Sequence, residues 1–154
     1  MVEPLYRTLN RVVKTMVGLG KIRYRVADNY RDMLFADVQD HYARTGVIPV
    51  WGGASDNTVF ASAPINHAFR AWHDHVHIGL RLGFDLLSES RVCEFQARSL
   101  LRLPWLSAVQ RRVCGALLHT EIVEQARYYD RTGAFPVDQL AFARRQLQTL
   151  GITL

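Results

Sequence analysis

Apolar residues recur at helical spacing through most of the chain. Leu5, Leu9, Val12, Val13, Met16 and Val17 form a stripe that opens at Pro4 and stops at Gly18 and Gly20, which predicts a first helix over 4–17. A second stripe carries Val26, Tyr30, Met33, Leu34 and Val38 on one side and predicts a helix over 22–45, ended by Gly46. Residues 46–63 break the periodicity with Pro49, the Gly52-Gly53 pair and an Asp56-Asn57 turn signal. They read as one long loop with room for a short β-hairpin that pairs 48–51 with 58–61. A third helix follows from Pro64, a favourable first-turn proline after Ser62, to residue 87. The fourth runs from Ser88 to just before Pro104. The fifth opens on Ser107 with Gln110 three residues later, the spacing of a capping box, and continues to Thr132 before Gly133. The last starts at Asp138, with Val137 and Phe142 spaced as a hydrophobic staple, and stops at Gly151. Six helices with little strand predict an all-α fold, a six-helix bundle forming a single helical domain over 1–154.

Composition keeps that picture and narrows it. The chain has 154 residues, 49% hydrophobic and 21% charged, enough to bury a real core. No run of about 18 apolar residues exists, so no membrane span is expected. The opening MVEPLYRTLNRVV places acid and base inside the apolar periodicity, and so reads as a helix and not a signal peptide. Cys93 and Cys114 lack CxxC spacing and read as buried reduced thiols of a cytoplasmic protein. The formal net charge is +5, and nearly all of the 19 basic residues are arginine. Arginine suits phosphate and carboxylate because its fork donates two parallel hydrogen bonds. The arginines are scattered, with no run longer than two. Nucleic acid is therefore a candidate partner without a legible surface of its own.

One stretch echoes another. Tyr42-Ala-Arg-Thr-Gly-Val-Ile-Pro-Val50 recurs as Tyr129-Asp-Arg-Thr-Gly-Ala-Phe-Pro-Val137. Two explanations stand: the same helix-stop chemistry used twice, or a duplicated helix-plus-loop unit, which would align Asp37 with Glu124.

The densest candidate chemistry is Trp72-His73-Asp74-His75-Val76-His77. The apolar stripe of this helix is Ile65, Phe69, Trp72, Val76, Leu80 and Gly83. His73 and His77 lie one turn apart along its edge, whereas His67 and His75 point elsewhere. Spacing of i and i+4 lets two imidazoles reach one metal ion. Glu121 falls inside the apolar arc of Val113, Cys114, Leu117, Leu118 and Ile122, and Asp37 and His41 interrupt the apolar side of the second helix. A lone ionised carboxylate in such a place costs several kcal/mol unless it is paired, protonated or bound to a cation. The expected metal ligands are therefore His73, His77, Glu121 and His41, with Asp37 and Glu124 as further ligands or the base that activates water. Arg70 and Arg81 would hold an anionic substrate, with Trp51 in the covering loop. The ion would be divalent: zinc, manganese or iron. A buried ion-pair network is the competing account of the same residues.

The doublet His73-Asp74 resembles that of HD-domain phosphohydrolases, in which case His41 would supply the upstream histidine and Asp130 or Asp138 the later aspartate. Taken together, Trp72-His73-Asp74-x-x-His77, then Glu121, then Phe135-Pro136-Val137-Asp138-Gln139 resemble small uncharacterised proteins of tailed phages and prophages. That likeness spans roughly 40–145. It implies a bacterial-cytoplasm setting and brings no established activity. The resulting expectation is a metal-dependent hydrolase of a phosphorylated or nucleotide-type substrate. The alternative is a non-catalytic phage or prophage protein that binds a host protein or nucleic acid.

Overall fold

A computed structural model describes residues 6–153. The elements are α1 (Arg7–Leu19), β1 (Tyr24–Ala27), α2 (Phe35–Thr45), β2 (Ile48–Trp51), α3 (Ala63–Leu80), α4 (Leu86–Ser99), α5 (Ala108–His119), α6 (Gln125–Thr132) and α7 (Gln139–Thr149). A π-helical turn, Thr120–Glu124, joins α5 to α6 without a break. The described residues thus form six helical rods and one two-stranded ribbon, a mostly-α fold. No helix among the described residues is long and apolar enough to cross a membrane.

The core lies where α1, α3, α4 and the α5–α6 rod meet. Leu9, Val12 and Val13 of α1 are buried with Phe69, Trp72 and Val76 of α3, Val92 of α4, and Leu117, Leu118, Ile122 and Val123 of the rod. Leu147 of α7 closes one side. Val59 and Phe60 of the 52–62 segment also enter the core, which ties that segment to the bundle.

Three expectations change. The helix foreseen over 22–45 forms only from Phe35, and 24–27 is a strand. Ile22 is buried and Tyr24 half-buried, while Arg23, Arg25 and Val26 are exposed, so local alternation is incomplete and the pairing with β2 fixes the strand. The second change concerns the hairpin. The strand at 48–51 forms, but its partner is β1, in parallel register from Tyr24↔Ile48 to Ala27↔Trp51, and 58–61 is not a strand. Ile48, Pro49 and Val50 are all buried, as suits a parallel strand, and α2 supplies the crossover that a parallel pair requires. The foreseen staple is also absent, since Val137 is fully exposed while Phe142 is buried.

The echoed sequences do the same thing twice. Gly46 and Gly133 close α2 and α6 with φ of 67° and 75°, and their N–H groups reach the carbonyls of Tyr42 and Tyr129 at 2.7 and 2.8 Å. Thr45 and Thr132 donate to the carbonyls four residues back, both at 2.8 Å. Each then accepts from the N–H two residues on. Helix-stop chemistry accounts for the match.

A prediction of opposite signs follows. Gly46 and Gly115 both have open space where a Cβ would go. Gly46→Ala carries only the left-handed conformational cost and should destabilise by about 1 kcal/mol. Gly115→Ala, in the middle of α5, should stabilise by roughly 0.5–1 kcal/mol. Chemical denaturation of both variants checks the pair.

Candidate metal centre

The α3–α4 connection is short and fully specified. Arg81 closes α3 in a left-handed conformation, φ 56°, and the Leu82 N–H bonds back to the His77 carbonyl at 3.0 Å. Asp85 then caps α4, its carboxylate accepting from the Ser88 N–H at 3.0 Å. Two helices that reverse across so few residues run side by side, so positions equally distant from Gly83 face each other. His77 and Glu89 are such a pair. Glu89 sits in the first turn of α4, where the helix dipole favours an ionised carboxylate.

Three ligand atoms converge there. His73 Nε2 lies 3.0 Å from Glu89 Oε2, His77 Nε2 lies 3.3 Å from the same oxygen, and the two Nε2 atoms are 3.0 Å apart. The other ring nitrogens are already committed. His77 Nδ1 donates to the Leu82 carbonyl at 3.0 Å, and His73 Nδ1 donates to Gln96 Oε1 at 2.9 Å. A carbonyl can only accept, so the Nδ1 of His77 carries hydrogen and its Nε2, in a neutral ring, presents a lone pair. Two imidazole lone pairs and a carboxylate oxygen this close repel unless positive charge sits among them. A cation about 2.1 Å from each atom would set the three about 3.0–3.4 Å apart, which matches the observed spacing. The orienting acceptors behind both imidazoles are those that metal-binding histidines use.

The electrostatics say the same in terms of protons. Burial pulls the His73 pKa down, but the Glu89 carboxylate outweighs it and carries it up to about 9. Burial would raise Glu89, yet the two imidazoles hold it down at about 2. Asp74 is coupled to His73, His77, Glu89 and Arg70, and burial leads in raising it to about 6. His77 is wholly buried, whereas the side chains of His73 and Glu89 keep 15% and 12% exposure. One side of the cluster therefore reaches solvent. Phe84 and Phe35 pack on His77, and Phe69 stacks on His73.

Of the expected site residues, His73 and His77 come together, and the third ligand atom belongs to Glu89. Neither Glu121 nor His41 is part of the cluster. Glu121 is buried in the π turn, where its Oε2 accepts from Gln125 at 2.9 Å and its Oε1 has no partner. Burial pushes its carboxyl up to about 8, against the Gln125 bond and the nearby Arg70. His41 stands edge-on to Tyr30. Asp37 is exposed at the start of α2 and accepts from the Leu34 N–H at 2.9 Å. Glu124 pairs with His119 and Arg127 at 3.1 and 2.7 Å. Arg70 donates to the carbonyls of Trp51, Gly53 and Ala54, strapping the 52–62 segment onto α3. Trp51 lies against Arg31 and Arg70, and Arg81 is exposed.

Sequence reasoning missed Glu89 and the orienting pair, Gln96 and the Leu82 carbonyl. The signal for Glu89 was the reversal at Gly83, which folds the first turn of α4 back beside His77.

Glu121 yields a pH prediction. Its folded pKa stands above the ordinary carboxyl value of 4.5, at about 8. Between those two values the folded state holds a proton that the unfolded chain has released, so this group makes stability fall as pH rises through that window. Glu121→Gln should flatten that fall and be more stable than the parent above pH 8. Denaturation midpoints across the pH range measure it, and an unchanged slope in the variant would refute it.

Comparison with protein-family models, with curated proteins and with solved structures gave no match.

Proposed function

We propose that the chain is a metal-dependent hydrolase in which His73, His77 and Glu89 hold one divalent ion and the substrate is a small phosphorylated or nucleotide-type molecule. One observation carries the reading: three ligand atoms within 3.0–3.3 Å of one another, on side chains whose other polar atoms are largely occupied. Three protein ligands, and not four, is the mark of a centre that keeps a position for water or substrate. The ligand set suits zinc, manganese and iron alike.

An ion held there would acidify a coordinated water and polarise a substrate oxygen. The chain's own residues do the rest. His77 and Glu89 are fixed from opposite sides of the α3–α4 reversal, and Gln96 sets the ring of His73. To Asp74, coupled electrostatically to all three ligands, we assign the uptake of the proton that water gives up. Arg70 is engaged with three carbonyls, so the positive charge for a phosphoryl oxygen would be supplied by an ion bound to His73, His77 and Glu89.

The test is elemental analysis of tag-free protein reconstituted separately with zinc, manganese and ferrous iron. About one ion per chain is expected. His77→Ala and Glu89→Ala should abolish retention, while Glu121→Gln and His41→Ala should keep it. A parent protein that retains none of the three metals defeats the reading. The loaded protein should also release phosphate from phosphomonoesters or nucleotides, and His77→Ala should not. Stoichiometric metal without turnover on any of them would leave the centre and remove the hydrolase.

A further inference from the structure

Charge on this chain is unevenly placed. Between Glu3 and Asp28 there are six cations, Arg7, Arg11, Lys14, Lys21, Arg23 and Arg25, and no carboxylate. The net charge of the whole chain is +5, so the remainder sums to one negative charge. All six side chains are exposed. Arg44, Arg98 and Arg127 pair with carboxylates three or four residues away. Arg11, Lys14, Lys21, Arg23 and Arg25 make no ion pair among the described residues.

The fold organises these charges. At about 100° per residue, Arg7, Arg11 and Lys14 fall within an arc of about 60° on the side of α1 opposite Leu9 and Met16. Lys21 follows the helix end, and Arg23 and Arg25 share one face of the extended segment that becomes β1. Arg11 lies against the Trp105 ring, 4.1 Å from its centroid, which holds one guanidinium in place. Arg7, Arg11 and Lys14 line a cleft of about 340 Å³ between α1 and α3, with Ala61 and Ile65 as its apolar floor. Asn10, only 8% exposed, lines the same cleft, and its Oδ1 has no hydrogen-bond partner among the described residues.

From these features we infer that α1 and the 21–25 segment form a binding face for a nucleic-acid strand, separate in kind from the metal centre. The cations meet phosphodiester oxygens, and arginine forks suit them. The concavity favours a strand seated in a cleft over the plane of an anionic bilayer.

Fluorescence anisotropy of the full chain with short labelled oligonucleotides, single-stranded and duplex, in chelator to empty the metal centre, tests it. Binding should weaken steeply between about 50 and about 200 mM salt. Arg11→Gln/Lys14→Gln should lower affinity about tenfold and flatten the log–log salt slope by about 1.5, as two lost phosphate contacts require. Arg23→Gln/Arg25→Gln should act in the same direction. Arg44→Gln/Arg98→Gln removes equal charge elsewhere and should change little. Circular dichroism and melting confirm that each variant is folded. The assignment is overturned by absent or salt-independent binding, by equal weakening in the control pair, or by capture on anionic lipid vesicles with no binding to oligonucleotides.

Discussion

Three electron-rich atoms held within contact of one another make the central constraint of this molecule. Without positive charge among them, His73 Nε2, His77 Nε2 and Glu89 Oε2 would repel one another, and the α3–α4 reversal brings them together. Positive charge, as a proton or as a cation, satisfies them. A proton on His73 answers part of the demand, which is why that ring holds its hydrogen far above the ordinary imidazole range. A divalent ion would answer all of it, because it could meet three lone pairs at once where a proton meets two. The aromatic rings of Phe35, Phe69 and Phe84 keep the surroundings apolar and so make the unmet charge more costly.

The other buried polar groups follow different rules. Arg70 loses its water shell yet finds three main-chain carbonyls, and its role becomes architectural: it pins the stretch after β2 so that Val59 and Phe60 can enter the core. Glu121 has a single bond and no cation in contact, so it resolves its burial by keeping its proton. It lies in a π turn, the irregularity that helices often carry near functional residues. Gln96 and Thr120 each leave one buried atom without a partner close to the same part of the chain.

Much of the fold could be read from local chemistry. The Ser107–Gln110 cap, the Gly133 stop and the Asp138 cap are short-range signals, and each operates in the structure. The helix expected across 22–45 failed because the segment before Phe35 takes its conformation from a strand more than twenty residues away, a contact that periodicity cannot report. The site divides along the same line. The histidine pair is legible because both members sit on one helix, and spacing alone determines that they share a face. Glu121 and His41 are inward or half-inward polar residues, as the pattern suggested, but facing inward does not say toward what. Glu89 belongs to a second helix, and its place depends on where the chain turns. Recognising it requires treating the turn as a mirror about Gly83.

The acceptor that orients His77 is the carbonyl of Leu82, a main-chain atom. Any residue at position 82 supplies the same oxygen, so no ordinary substitution there removes the bond. What governs it is the count of residues between the end of α3 and the cap at Asp85. Adding or deleting one residue in that interval would move the carbonyl away from His77 and shift Glu89 out of register with both imidazoles. The geometry of the centre is therefore written in the length of a loop as much as in the identity of its ligands.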